Sequence, residues 1–395
     1  MGVPPLGGRI AGAGLLTVAL ALSGCGGSSL EESGGAEATG DVKIGLLVPL
    51  SGVYAPLGQD MRNGFQLYLD QHGGKLGGRT VKLVTADEGE GPQTGVPAAQ
   101  KLVTQDQVAA VVGIVNSAVA LGVRNLFDES KVPLVIANAG ADAITGAQKS
   151  DYVWRTSFSN GKVSAALGAA VAQEVAGGKV YLIAADYAAG KEMVAGFKST
   201  FQAAGGTVAG EKYTPFGKTQ DFQPYLSEIL ASGAKAVYSF YAGAEAVSFV
   251  QQYQQFGLAR KIPLYGTGFL TEGGVLKAQG QAAVGVKTSL HYSTELDTPR
   301  NKEFVDAYQK ALTAPPTVYA VQAYDAAAVL DKALTKAAGG DGAAVVKAFG
   351  EIGPVDSPRG QWSFDASHDP QQPYYLREVR AGGGAMVNAV VRELS

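Results

Sequence analysis

Strand-like and helix-like stretches alternate along most of this chain, and that rhythm restricts its fold more than any single residue does. Asp41 to Leu50, DVKIGLLVPL, is a near-continuous apolar run with a proline near its end. Strands buried on both faces of a parallel sheet have this character. Met61, Phe65, Tyr68 and Leu69 then recur at i, i+4, i+7 and i+8, one face of a helix that Gly73-Gly74 would end. Further strand-like runs occupy 80–86, 109–115 and 133–137, with helix-like runs at 93–105 and 117–129 between them. Alternation at this spacing predicts a doubly wound α/β sheet.

Near residue 160 the series restarts. Ser159 or Asn160 is placed to cap a helix that closes on a glycine pair. Strands are expected at 179–186, 234–241, 261–268 and 285–293, with helices near 189–204, 221–232 and 244–256. Two long helices fit within 299–337, and the tail, rich in turns and aromatics, reads as short antiparallel strands. The expectation is therefore two α/β lobes, 41–159 with 285–352 and 160–284 with 353–395. No Pro/Ser-rich string separates them, which implies short crossovers with a cleft at the joint. Such clefts, and the C-terminal ends of parallel strands, are where small ligands bind.

The N-terminus has a different character. Arg9 precedes an apolar run from Ile10 to Leu22, which at ~1.5 Å per residue covers roughly 20 Å, short of a ~30 Å hydrocarbon core. That length suits the apolar region of a signal peptide, residues 1–24. Leu22-Ser23-Gly24-Cys25 follows and holds the one cysteine of the 395 residues. It is similar to a bacterial lipobox, which is cut before the cysteine whose thiol then carries a diacylglyceryl group. Residues 25–40 have almost no hydrophobes after Cys25 and cannot bury enough surface to fold. As a flexible tether they would span about 20 Å root-mean-square. The expected location is extracytoplasmic, held to the membrane lipid through Cys25, with a folded part that starts near Asp41 and contains no thiol.

Composition narrows the activity. A formal net charge of −3 with no basic run argues against a nucleic-acid partner. Of the three histidines, His72, His291 and His368, no two share a metal-ligand spacing, and no G-x-S-x-G elbow is present. Gly217-Lys218-Thr219 looks like the end of a phosphate loop, but Lys212 stands where its leading glycine belongs, so it reads as a surface loop. PLSGVYAPLG after the first strand lacks dinucleotide-loop spacing. The expectation is no enzyme, no metal and no cofactor.

Binding has better candidates, each where a strand gives way to a helix. Asn116-Ser117 ends the third strand and starts a helix. A serine there either caps its own helix or, with the free amide hydrogens and positive helix end, receives a carboxylate. Asn138, Ala139 and Gly140 repeat the geometry after the fourth strand, with little side chain to block a ligand. Tyr54, Tyr187 and Tyr241 each follow a strand and serve as aromatic walls with polar tips, or as half-buried packing. His291 ends the strand that enters the later helices.

KIGLLVPLSG, NGFQLYLDQHGG, ADEGEGPQTGVPAAQKLV, VVGIVNSAVA and VPLVIANAGA follow one another, continued by YSFYAGAEAVSFVQQYQQFGL and TVYAVQAYDAAAVLDKAL. In this order, over residues 41–395, they resemble type I periplasmic binding proteins of the leucine/isoleucine/valine kind. The resemblance implies a two-lobed clamshell with three crossovers, acting as a monomer that feeds a membrane ABC permease. It also implies that Ser117 and the turn Asn138 to Ala141 bind the ligand carboxylate. Members that bind amino acids usually hold the ammonium with a glutamate where this chain has Gly268, and Ala141 replaces a threonine common in their turn. Glu245, Glu272 and Asp186 are the possible substitutes, since a buried ammonium without an acidic partner is costly. The pattern favours an aromatic or other small organic acid, with a branched-chain amino acid as the alternative. Ligand sensing with the same fold stays open beside import.

Overall fold

The computed structural model describes residue 2, residues 40–382 and residues 384–394. The expected signal peptide, Cys25 and the tether as far as residue 39 lie outside the described residues. The folded unit is Glu37–Ser395, and among its described residues the strands form two large sheets.

The first sheet holds β1 (Val42–Val48), β2 (Lys75–Leu76), β3 (Arg79–Asp87), β4 (Ala110–Gly113), β5 (Leu134–Ile136) and β6 (Val153–Arg155), in the order β2-β3-β1-β4-β5-β6. All pairs are parallel except the short β2–β3 hairpin at one edge. Ile44, Leu46 and Val48 of β1 enter one core, whereas Leu47 enters the opposite one, so the strand is apolar on both sides. Helices α1 (Ala55–Gln71), α2 (Pro92–Thr104) and α3 (Ser117–Ser130) connect these strands. Met61, Phe65, Tyr68 and Leu69 of α1 are all buried, as their spacing predicts.

The chain enters the second lobe between β6 and α4 (Asn160–Glu174), whose N-cap is Ser159, accepting the Lys162 amide hydrogen. Then come β7 (Lys179–Ala185), α5 (Ala188–Ala203), β8 (Thr207–Thr214), α6 (Gln223–Ala231), β9 (Ala236–Phe240), α7 (Gly243–Gln255), β10 (Leu264–Thr267), α8 (Gly274–Gln279) and β11 (Lys287–Leu290). Next α9 (Pro299–Leu312), α10 (Val318–Ala337) and α11 (Gly342–Phe349) return to the first lobe. There α10 packs so closely on α1 that a Cβ at Gly64 would run into the Ala320 carbonyl. A small pair, β12 (Ser363–Phe364) with β13 (Pro370–Gln371), precedes β14 (Tyr374–Gly382) and β15 (Ala385–Leu394). The second sheet runs β15-β14-β11-β10-β9-β7-β8, with β14 antiparallel to β11 and β15 antiparallel to β14.

Two expectations need correction. Residues 285–352 do not all belong with the first lobe, because β11 is hydrogen-bonded between β10 and β14 of the second sheet. The chain therefore crosses back after residue 290, between β11 and α9. The tail is antiparallel as expected, but β14 and β15 are 9 and 10 residues long rather than short.

Candidate functional site at the strand tips between the lobes

The tips of β1, β3, β4 and β5 come from one lobe, and those of β7, β8, β9 and β10 face them from the other. Interlobe bonds tie the two: Asn160 donates its amide hydrogen to Gly140 O at 2.8 Å, and Gly161 donates to Asp142 Oδ1 at 2.8 Å. The Val318 amide, at the start of α10, donates to Glu272 Oε1 at 3.0 Å.

At the β4 tip Asn116, not Ser117, caps α3, its Oδ1 accepting from Ala118 and Val119 at 2.8 and 3.4 Å. Its amide hydrogen goes to Glu88 Oε1 at 2.6 Å and its Nδ2 donates to Glu90 O at 2.9 Å, so its polar groups serve the turn. Ser117 keeps a free amide in the first turn, and its Oγ accepts the Ala141 amide hydrogen at 3.1 Å. At the β5 tip buried Arg155 donates to Ala141 O at 2.8 Å and Ala139 O at 3.5 Å, while its Nε meets Asp369 at 2.6 Å. That grip turns the carbonyls of the tip toward the arginine. The Ala139 amide is spent on Ile114 O at 2.9 Å, and Asn138 turns its side chain to Gln322 at 2.9 Å. Neither Ala139 nor the Asn138 side chain is free for a ligand, which leaves the Gly140 amide beside Ser117. A Cβ at Gly140 would run into the Phe158 ring, so only glycine lets the backbone lie against it.

Phe158 continues into an aromatic layer. Its ring is 4.7 Å from Phe269, which is 6.4 Å from Tyr319. All three rings are buried, drawn respectively from the first crossover, the β10 tip and the start of α10. Tyr187 stacks on Phe216 at 4.2 Å. Burial, then Glu88 and Glu245, pushes up the Tyr54 phenol, and burial, then Tyr54 and Glu245, pushes up that of Tyr187. Tyr54 and Tyr187, from opposite lobes, thus share the field of Glu245. Tyr241 does not join them: it is buried among Phe222 and Phe249, with its hydroxyl on Thr214, a core residue of the second lobe.

His291 is wholly buried and its Nε2 lies 3.0 Å from Gln322 Nε2, out of direct reach. Burial, then Arg359 and Arg377, push its pKa well down, so the ring is neutral and accepts from the glutamine. At Gly268 a Cβ would meet the Arg377 guanidinium and Leu290, so a larger side chain does not fit there. The three possible acidic substitutes are all engaged. Glu272 pairs with Arg377 at 3.0 Å, Asp186 with Lys191 at 2.9 Å, and Glu245 accepts the Gly217 amide hydrogen at 2.8 Å. Among the described residues no group of His, Cys, Asp and Glu is placed to hold a metal. Two surface hollows, one lined by Arg260, Lys261, Pro263 and Val286 and one by Arg300, Glu303 and Asp356, open away from these tips.

Phe158, Tyr319, Arg155, Glu88 and Gln322 went unnoticed in the sequence, where Phe269 stands out only as the residue beside Gly268. Only Phe269 and Tyr319 carried a signal, as aromatics at a strand end and a helix start.

A sequence family described as periplasmic binding protein matches residues 41–384. The chain belongs to that family. Its relatives include the Leu/Ile/Val-binding protein homolog 6 of Brucella melitensis, 35% identical over 360 residues, 89% of this chain and 91% of that protein. A solute-binding protein from R. palustris, solved with benzoate, is 38% identical with a TM-score of 0.80, over 90% of this chain and 97% of the other. Another from R. palustris, solved with 4-hydroxybenzoate, is 32% identical with a TM-score of 0.84 over the same shares. Like other periplasmic binding proteins of the Leu/Ile/Val-binding kind, this chain has parallel-sheet lobes. No helix among its described residues is long and apolar enough to cross a membrane.

Proposed function

We propose that this periplasmic binding protein captures a small aromatic carboxylate between its lobes for an ABC importer. The observation that carries the reading is the buried aromatic layer of Phe158, Phe269 and Tyr319 beside the Gly140 tip, while Glu272, at the end of the β10 loop, is taken up by a buried pair with Arg377. The carboxylate would meet the amides of Ser117 and Gly140, and the ring would lie near Phe158, Phe269 and Tyr319. Tyr54 and Tyr187 would close over it. The benzoate and 4-hydroxybenzoate bound by the R. palustris proteins support the same class of ligand. Closure follows when a ligand touches both lobes only in the closed arrangement.

Isothermal titration with benzoate, 4-hydroxybenzoate, leucine, isoleucine and valine tests this. Micromolar or tighter binding of an aromatic acid, without binding of the amino acids, is the expected result. Tight binding of leucine alone would reverse the assignment. The anchor is a separate part of the proposal. Cys25→Ser should move the full chain from the membrane fraction to the soluble fraction of cells, and unchanged membrane retention would rule the anchor out.

A further inference from the structure

Glu88 follows β3 and is wholly buried, yet no cation pairs with it among the described residues. Its two carboxylate oxygens accept the amide hydrogens of Val115 at 2.8 Å and Asn116 at 2.6 Å. Burial pushes its pKa up to about 7 against the pull of those two bonds. Such a group is expensive to keep, and it plays no part in binding as described so far.

The turn it grips is unusual. Ile114 has φ +68°, the left-handed region that a β-branched residue adopts only under constraint. Strained backbone of this kind persists where surrounding bonds over-determine it. Here the Ile114 amide donates to Leu47 O at 2.8 Å, and its carbonyl accepts the Ala139 amide hydrogen at 2.9 Å. One residue therefore joins the β4 tip to the β5 tip. Immediately after it, Glu88 fixes the next two amides, Asn116 starts α3, and Ser117 Oγ reaches Ala141.

We propose that Glu88 is the positioning residue of the carboxylate site, holding Ile114 in its left-handed conformation and so setting Ser117 against the Gly140–Ala141 turn. The inference rests on the reading of these tips as a carboxylate site. Glutamine at position 88 keeps the volume but offers one acceptor and turns an amide group toward the other N–H. Aspartate at position 88 keeps both acceptors but is one methylene shorter, so it cannot reach both amides equally well.

The test compares the parent with Glu88→Gln and Glu88→Asp, each measured by benzoate titration, amide hydrogen exchange and urea unfolding. Glu88→Gln should bind benzoate about tenfold more weakly or worse, the loss of roughly one good buried hydrogen bond. Exchange should quicken at residues 114–117 while the rest of the chain keeps its protection. Glu88→Asp, which keeps both acceptors but reaches less far, should fall between the two. If Glu88→Gln fails to fold, Glu88→Asp decides: weaker binding with exchange quickened at 114–117 supports the proposal, and parent-like binding overturns it. Equal binding by the parent and Glu88→Gln, or exchange quickened alike throughout the chain, also overturns it. Should the parent bind no benzoate, the proposed ligand class falls, and exchange still decides the role of Glu88: protection lost at 114–117 alone upholds it, and unchanged protection ends it.

Discussion

Asp325→Ala is expected to cost about 3–5 kcal/mol of folding stability. Asp325 lies on α10 and is fully buried. Its Oδ2 accepts from Ser357 Oγ at 2.8 Å and Trp362 Nε1 at 3.1 Å. Arg359 Nε sits 2.8 Å from the same oxygen, an ionic contact too far off the N–H axis to count as a hydrogen bond. The guanidinium also donates to the carbonyls of Thr156 at 2.6 Å and Ser157 at 3.3 Å and covers the Trp362 ring. One ion pair thus joins α10, the third crossover and the first crossover.

Burial raises the pKa of Asp325 and lowers that of Arg359, and each charge is offset by the other. Alanine at 325 leaves an uncompensated guanidinium in the interior, and the whole desolvation penalty reappears. Changing both partners to apolar residues of similar volume, Asp325→Leu with Arg359→Met, removes the charge penalty but leaves Trp362 Nε1 and the Thr156 and Ser157 carbonyls without their partners, so it should restore only part of the stability. Urea unfolding of the parent and the two variants measures this. A loss below about 1 kcal/mol in Asp325→Ala would show that water or another acid reaches Arg359.

The contrast between legible and illegible parts has a common cause. β1, β4, β7 and β9 announce themselves because a parallel strand covered on both faces must be apolar at nearly every position. β8, with the sequence TVAGEKYT, is an edge strand with half-exposed residues, and it carries no such run. β6 is three residues long, and β11 reads correctly as a strand but not as to which sheet it joins. Lobe membership is decided by a partner strand far away in sequence.

The site divides in the same way. That Ser117 and Gly140 stand at strand ends is a local fact, and periodicity alone brings it out. Side-chain direction is not local. The Asn116 side chain donates to the carbonyl of Glu90, 26 residues earlier, and that of Asn138 to Gln322, 184 residues later. Tyr241 and His291 follow strands just as Tyr54 and Tyr187 do. Each is turned inward by partners that lie on other elements.

Gln322→Leu is expected to weaken benzoate binding about tenfold while leaving the fold largely intact. Gln322 stands on α10 and receives Asn138 Nδ2 on its Oε1, while its Nε2 donates to His291 at the end of β11. The chain Asn138–Gln322–His291 runs from a tip of the first lobe to the second lobe. Leucine fills the space but leaves the Asn138 donor and the His291 acceptor buried and unpaired, at about 1–3 kcal/mol each. The share of that cost borne only by the closed arrangement appears as lost affinity, and the rest as lost stability. Gln322→Glu separates the two. A carboxylate still accepts from Asn138 but has no hydrogen for a neutral imidazole. Binding should then improve as pH falls and His291 takes up a proton beside the new acid, whereas the parent histidine, held neutral by burial and two arginines, gives no such trend. Calorimetric titration at several pH values reads both effects. Parent-like affinity in Gln322→Leu would mean that the bond to His291 persists when the lobes separate, and closure would then depend on the amide tips and aromatic layer alone.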